Sequence, residues 1–152
     1  MAIDTILLAV GTGDTDRLER LAEETIDVAG PTGAEVVLLH VFTKEEYEKT
    51  IDRLEFDREA SEVGPDDAAR RHSSTRQLAK AFDEADIDVK IRGAVGDHGE
   101  QIVKVAGEVD ADRVLVGGRK RSPTGKAVFG STAQEVMLSS PCPVTFVRAD
   151  SK

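Results

Sequence analysis

The stretch that decides the fold is RVLVGGRKRSPTGKAVFGST, residues 113–132. An apolar run that predicts a strand leads into a glycine-rich loop, and the loop enters a helix at Gly130-Ser131-Thr132. Backbone N–H groups in such a loop, together with the helix N-terminus, can hold an anion. Between Arg113 and Gln134 there are five Lys or Arg and no Asp or Glu, in a chain of formal net charge −9. This local reversal of charge predicts a phosphate site.

Length and composition predict one globular domain over residues 1–152. The chain is 39% hydrophobic and 32% charged, which is typical of a folded protein with a real core. No apolar run approaches the roughly 18–20 residues that span a bilayer. The N-terminus lacks the basic segment of a signal peptide, and Cys142 has no second cysteine with which to form a disulfide. We therefore expect a soluble, cytoplasmic protein.

The acidity of the chain restricts its partners. Asp and Glu number 29 against 20 Lys and Arg. Such a surface repels nucleic acid and anionic membranes, so we expect neither as a general partner. Two origins fit the acidity: a moderately acidic cytoplasmic protein, or a protein from a high-salt cytoplasm with an acidic, Lys-poor surface. The many Asp and few Lys favour the second.

Strand and helix patterns alternate along the whole chain. Apolar runs predict strands at 3–10, 35–41, 87–91, 113–117 and 144–148, the third half-exposed near a sheet edge. Helical periodicity predicts a first helix that Gly30-Pro31 stops, a second from Pro65 to about residue 82, a third capped by Asp97, and a fourth at about 131–139. Residues 42–64 are the least regular and predict a variable, partly helical excursion. The alternation predicts an α/β fold, with an open parallel sheet and helices on both faces.

The two glycine-rich loops are expected to flank one ligand. They are Gly11-Thr12-Gly13 and residues 117–130, and both follow the carboxyl ends of strands, where such sheets bind ligands. Neither is a standard nucleotide motif. A Walker A loop requires Ser or Thr after Gly-Lys, where this chain has Ala127, and a Rossmann fingerprint requires Gly where it has Asp16.

The loop does resemble the nucleotide motif of the universal stress protein family. That motif is Gly, two residues, Gly, nine residues, then Gly and Ser or Thr. Here Gly117 begins it, residues 121–129 form the spacer, and Gly130-Ser131 ends it, with Lys120 at the second glycine. The flanking segments 6–10, 39–41 and 141–144 also match, so the resemblance covers nearly the whole chain. It implies a doubly wound, Rossmann-like sheet of five strands in the order 3-2-1-4-5.

The resemblance also implies a ligand and a partner. The family implies a stress-response module that binds ATP as a regulatory ligand, with Mg²⁺ as a candidate companion, and that dimerises through the last strand, residues 143–148. The implied nucleotide contacts are at Ala9, Val10, Gly11, Val41, Val116, Gly117, Gly118, Arg119, Lys120, Gly130, Ser131 and Thr132. Gly11 stands where ATP-binding members carry an acidic residue. The departures at Gly11 and Lys120 favour the alternative, a dimeric stress or scaffold protein whose basic loop binds another anion or an acidic partner.

Catalytic chemistry has weak support in the sequence. His40, His72 and His98 lack metal-ligand spacing, and no nucleophile-elbow sequence supports a triad of Ser131, His98 and Asp97. We expect no catalytic residue, no metal site, and at most slow ATP hydrolysis. A third alternative is an adenylyl-transfer enzyme on a similar sheet, although 152 residues leave little room for its substrate-binding elements.

Overall fold

A computed structural model describes residues 3–55, 64–118 and 130–148. Strands and helices alternate along these residues, and a 3₁₀ helix at Thr12–Arg17 precedes the first α-helix. In chain order the elements are β1 (Thr5–Val10), α1 (Leu18–Thr32), β2 (Glu35–Phe42), α2 (Lys44–Glu55), α3 (Pro65–Arg71), α4 (Ser73–Glu84), β3 (Val89–Val95), α5 (His98–Glu108), β4 (Arg113–Gly118), α6 (Ser131–Ser139) and β5 (Val144–Arg148).

The strands form one parallel sheet in the order β3-β2-β1-β4-β5. The predicted fold class and strand order are thus confirmed. β1 lies in the middle, where Leu8 is in register with Leu38 of β2 and Leu115 of β4. No helix within the described residues is long and apolar enough to cross a membrane.

Apolar cores cover both faces of the sheet. On one face Ile6 and Leu8 pack with residues of α1 and α4, and on the other Leu7 and Ala9 pack with α5 and α6. Ile6, Leu7 and Leu8 are each fully buried. Burying a Leu or Ile side chain stabilises a fold by about 1.5–3 kcal/mol. Because successive residues of β1 point to opposite faces, the strand contributes such burial to both cores. This double burial explains why β1 reads as a continuous apolar run rather than an alternating one.

The end of α1 differs from the sequence prediction. Gly30-Pro31 was expected to stop the helix, but α1 continues to Thr32. Gly33 ends it instead, because Gly33 adopts the left-handed conformation (φ 71°) and its N–H donates to the Ala29 carbonyl at 2.9 Å. Glycine adopts this conformation at little cost, which makes it the usual residue just past a helix C-terminus. The predicted stop was wrong by two residues.

The helix predicted from Pro65 is two helices. His72 is extended (φ −74°, ψ 138°) and separates α3 from α4. Its ring Nδ1 accepts a hydrogen bond from the Ser74 N–H at 3.2 Å, so His72 caps α4. A periodic apolar stripe through residue 72 could not reveal this break, because a cap and a mid-helix residue can both face the core.

Strand β3 lies at the sheet edge and is partly exposed, as predicted, but it runs four residues beyond the predicted end at Ile91. Pairing with β2 extends it, since Phe42 is in register with Val95. Helix α3 covers this extension. The Gly93 N–H donates to Asp66 Oδ1 at 2.8 Å, and a Cβ at Gly93 would overlap the Pro65 carbonyl.

Helix α2 occupies residues 44–55 of the segment 42–64, and residues 56–63 lie outside the described residues. A reciprocal capping box begins the helix. The Glu46 N–H donates to Thr43 Oγ1 at 3.1 Å, and the Thr43 N–H donates to Glu46 Oε1 at 2.9 Å. The cap fixes where the chain leaves β2 and turns over the edge of the sheet.

His40 is a buried histidine near the end of β2. It is fully buried, neither of its ring nitrogens has a hydrogen-bond partner among the described residues, and its ring centroid lies 4.2 Å from that of His72. Burial, with a smaller repulsive contribution from His72, lowers the pKa of His40 to about 3. The folded protein therefore holds His40 neutral at pH values where the unfolded chain protonates it.

We expect this histidine to make the fold acid-sensitive. Below pH 6.5, the ordinary pKa of histidine, His40 is protonated in the unfolded state, whereas in the folded state it stays neutral down to about pH 3. The free energy of unfolding therefore falls as the pH drops from about 6.5 to about 3. Between pH 7.5 and 5 the loss is about 2 kcal/mol. His40→Leu should remove this part of the pH dependence, as measured by urea unfolding at both pH values. The packing change affects both pH values alike, so an unchanged difference between them would contradict the expectation.

Candidate functional site

A cleft lies at the carboxyl end of β1, where the sheet order reverses between β2 and β4. It consists of two adjoining cavities. The deep cavity has a volume of about 40 Å³ and includes Val41 and Ile102 in its walls. The outer cavity, about 240 Å³, extends to Ser131 and Ala133 at the start of α6. Residues common to both walls are Gly11, Asp14, His98, Gly117 and Thr132. Open α/β sheets bind ligands at such a switch point.

The structure brings together every sequence-predicted site residue that it describes. The deep cavity is lined by Ala9, Val10, Gly11, Val41, Val116, Gly117 and Thr132. The outer cavity adds Gly118, Gly130 and Ser131. Arg119 and Lys120 lie outside the described residues, as does the basic spacer at 121–129. Segments more than 100 residues apart in sequence thus meet in one cleft.

The first turn of α6 faces the outer cavity. Gly130 precedes the helix in an extended conformation (φ −65°, ψ 162°), and no side chain caps this end. A Cβ at Gly130 would meet no described atom within 4 Å. The first N–H groups of a helix have no intrahelical partner and carry the positive end of its dipole, so this terminus can receive an anion.

Asp14 and Arg17 build the wall between the two glycine-rich segments, and sequence reasoning missed both. Asp14 is 9% exposed; its Oδ2 accepts the Gly11 N–H at 2.8 Å and its Oδ1 accepts Arg17 Nε at 2.5 Å. Arg17 Nη1 also donates to the Gly118 carbonyl at 2.6 Å, and Nη2 to the Gly13 carbonyl at 3.0 Å. One guanidinium therefore ties the first loop to the end of β4.

This tie explains why residue 117 is glycine. A Cβ at Gly117 would lie 2.7 Å from Arg17 Nε and 2.8 Å from Asp14 Oδ1. The same arrangement places the buried carboxylate of Asp14 in the cleft, where Gly11 itself supplies no side chain. The signal was present in the sequence, since an aspartate three residues after Gly11 can accept the N–H of that glycine in a turn.

His98 separates the two cavities and was not among the predicted contacts. It begins α5, whose N-cap Asp97 accepts the Glu100 N–H at 3.0 Å as the sequence predicted. Its side chain is 26% exposed, and Nε2 lies 3.9 Å from Glu46 Oε1 of α2. A Cβ at Gly11 would lie 2.9 Å from His98 Cε1. The imidazole thus lies against the backbone of the first loop, and the deep cavity that it lines has room for only a small group.

Close packing brings the N-termini of α5 and α6 side by side. Gly99 permits it, because a Cβ there would overlap the Glu135 side chain. Desolvation and the nearby carboxylates of Asp97 and Glu100 raise the pKa of Glu135. Among the described residues, no group of three or more His, Cys, Asp or Glu could hold a metal ion.

These features define a class: a doubly wound α/β protein with an anion-receptive cleft at its switch point. The model of the universal stress protein family matches residues 2–148. The chain belongs to the universal stress protein family. A universal stress protein of Mycolicibacterium smegmatis is 30% identical over 79 residues, which are 51% of this chain and 61% of that relative. The chain therefore matches less than two thirds of that relative's length.

Solved structures of the family have the same fold. A universal stress protein in complex with cAMP has a TM-score of 0.68 at 20% identity, covering 99% of this chain and 100% of that one. The protein from Lactobacillus plantarum has a TM-score of 0.69 at 21% identity, covering 97% and 99%. A complex with dAMP from Archaeoglobus fulgidus has a TM-score of 0.52 at 21% identity, again covering 97% and 99%. At these identities the likeness establishes the fold.

Proposed function

We propose that this protein binds an adenine nucleotide in the switch-point cleft, with ATP as the leading candidate, and acts as a cytoplasmic stress-response module. The observation that carries the proposal is the convergence of two glycine-rich segments and two helix N-termini on one cleft beside Arg17. Relatives bound to cAMP and dAMP support the choice of an adenine nucleotide.

The base would enter at the deep cavity, beside the backbone of Val41 at the end of β2. Its volume of about 40 Å³ is too small for a purine, so His98 must swing toward solvent when the base enters. Asp14 would face the sugar, because it is the carboxylate in the wall that both cavities share. Its oxygens can accept hydrogen bonds from ribose hydroxyl groups.

The phosphates would lie in the outer cavity, against the first turn of α6. Ser131 and Thr132 would present backbone N–H groups to them, with Arg17 opposite. Arg119 and Lys120 are proposed as further phosphate contacts. Mg²⁺ would enter with ATP through the phosphate oxygens, since Mg²⁺ usually binds to substrate phosphates and few protein groups.

Binding would act by population shift rather than by catalysis. A nucleotide that contacts β1, β2 and α6 together favours the conformation in which these three elements lie close to one another. A partner protein can then bind that conformation preferentially. The cleft contains His98 and Asp14, but Asp14 is engaged with the Gly11 N–H and Arg17. We therefore propose at most slow ATP hydrolysis.

Calorimetric titration with ATP, with and without Mg²⁺, tests the proposal. Gly130→Ala places a methyl group at the proposed phosphate position and should weaken ATP binding. Gly107→Ala in α5 is the matched control, because both glycines have open space at Cβ and only Gly130 lines the cleft. The control should bind ATP like the parent protein. No heat of binding from the parent at millimolar ATP would sink the proposal.

Arg17 should matter more to binding of the phosphates than to binding of the base. Losing one hydrogen-bonded charge costs about 1.5–3 kcal/mol, so Arg17→Met should weaken ATP about tenfold or more. Adenosine affinity should fall less than ATP affinity, because adenosine lacks the phosphates that Arg17 faces. Arg20→Met is the control, since Arg20 pairs with Glu24 on α1 and does not line the cleft. Equal losses for ATP and adenosine would mean that Arg17 acts only by holding the loops together.

The second candidate is a non-nucleotide member of the family whose cleft binds another anion. Two observations favour it: the small deep cavity, and the absence of a side chain at Gly11. The same titrations distinguish the two candidates. Inorganic phosphate or pyrophosphate that binds as well as ATP, with no affinity for adenosine, would favour the second.

We also propose a homodimer through β5. Among the described strands β5 lies at the sheet edge with β4 on one side, and Leu138 on the preceding helix is 79% exposed. An exposed edge strand is a template for pairing with another chain. Light scattering should give twice the 16.4 kDa of one chain. Thr145→Lys should shift the mass toward one chain, whereas Gln77→Lys on α4 should not; a monomeric parent protein would contradict the proposal.

A further inference from the structure

A second cavity lies beyond the edge of the cleft, between α2 and the break that separates α3 from α4. We name it the α2–α4 pocket. Its volume is about 350 Å³, which is within the range of small-molecule sites. The half-buried ring of His72 forms part of its wall, with the fully buried Phe42 behind it, and Thr50 and Ser73 contribute hydroxyl groups. None of its lining residues lines the switch-point cleft.

The walls of this pocket are strongly cationic. Lys49 and Arg53 come from α2, and Arg71 and Arg76 come from either side of the helix break. Glu46 is the one carboxylate among its described lining residues, so the formal balance is four positive charges against one negative. The whole chain has the opposite balance, 29 acidic residues against 20 basic ones.

These cations are not committed to ion pairs within the described ranges. The salt bridges there join other residues, such as Arg70 with Asp67 and Arg92 with Glu108. Glu46 Oε1 accepts the Thr43 N–H at the helix cap and lies 3.9 Å from His98 Nε2. The four cations of the pocket wall outnumber its one described carboxylate. Like charges repel one another, and a bound anion would reduce that repulsion.

The backbone also contributes to the arrangement. Because His72 is extended, α4 begins anew at Ser73, in the pocket wall, and directs the positive end of its dipole there. In a continuous helix, Arg71 and Arg76 would belong to the same element. The break places Arg71 on α3 and Arg76 on α4, in the wall of the pocket. Burial, and after it the charge of Arg53, lower the pKa of His72, while the charge of Glu46 opposes this shift.

We infer that the α2–α4 pocket is a second anion site, which binds a small organic phosphate. Guanidinium groups match the oxygens of a phosphate with paired N–H donors, which favours phosphate over a simple halide. The half-buried ring of His72 in the pocket wall suits the carbon skeleton of such a ligand. The pocket shares no lining residue with the cleft. Glu46 of the pocket wall lies 3.9 Å from His98 of the cleft.

The test is a titration with inorganic pyrophosphate, followed residue by residue in ¹H–¹⁵N NMR spectra of the full chain. The amides of Thr50, Ser73 and Arg76 report on the α2–α4 pocket, and those of Ser131 and Thr132 report on the cleft. The variant is the double substitution Arg53→Gln with Arg76→Gln. Lys80→Gln with Lys104→Gln is the matched control, because it removes the same charge from exposed positions outside the pocket.

We expect the pocket amides to shift saturably and the double arginine variant to weaken that isotherm about tenfold or more. The lysine control should change it less than about twofold, and the cleft isotherm should be the same in all three proteins. Pocket amides that do not titrate, or equal weakening by both double variants, would overturn the inference. Neither result bears on the proposed nucleotide site, which the separate titration with ATP tests.

Discussion

The burial of β1 on both faces is the constraint on which the rest of the structure depends. Ile6, Leu7 and Leu8 are fully buried, and parallel strands flank β1 on either side. The chain can reach a parallel neighbouring strand only through a crossover connection, and such crossovers are right-handed. Because the chain adds strands first on one side of β1 and then on the other, crossovers of one hand place their helices on opposite faces of the sheet. The loops therefore separate at the carboxyl end of β1, and the cleft is the space left between them.

Within that cleft, Arg17 decides how the two glycine-rich segments meet. It donates to the carbonyls of Gly13 and Gly118 and to Asp14, so a single side chain joins the loop after β1 to the end of β4. Gly117 is required because this guanidinium lies against it. Charge, loop geometry and glycine placement are thus parts of one arrangement, and a ligand would meet a wall that is already assembled.

Much of the fold could be predicted because its signals are local. Apolar runs predicted the strands, and the glycine-loop spacing led to the family and the sheet order 3-2-1-4-5. The errors have physical causes in tertiary contacts. α1 passes Pro31 because Gly33 supplies the left-handed cap, α4 begins anew at His72, and β3 reaches Val95 because β2 offers a partner that far. In each case a capping or pairing contact outweighed a local propensity.

In the candidate site, too, some features follow from local sequence signals and others from tertiary contacts. The sequence by itself determined which glycine-rich segments would line the cleft, because carboxyl-end loops of a parallel sheet follow from the order of strands and helices. Only the tertiary structure decided that Asp14 supplies a carboxylate where Gly11 has none, that His98 lines the deep cavity, and that Arg53, Arg71 and Arg76 surround one opening. These side chains belong to elements distant in sequence, and their juxtaposition depends on packing distances that no local pattern of residues encodes.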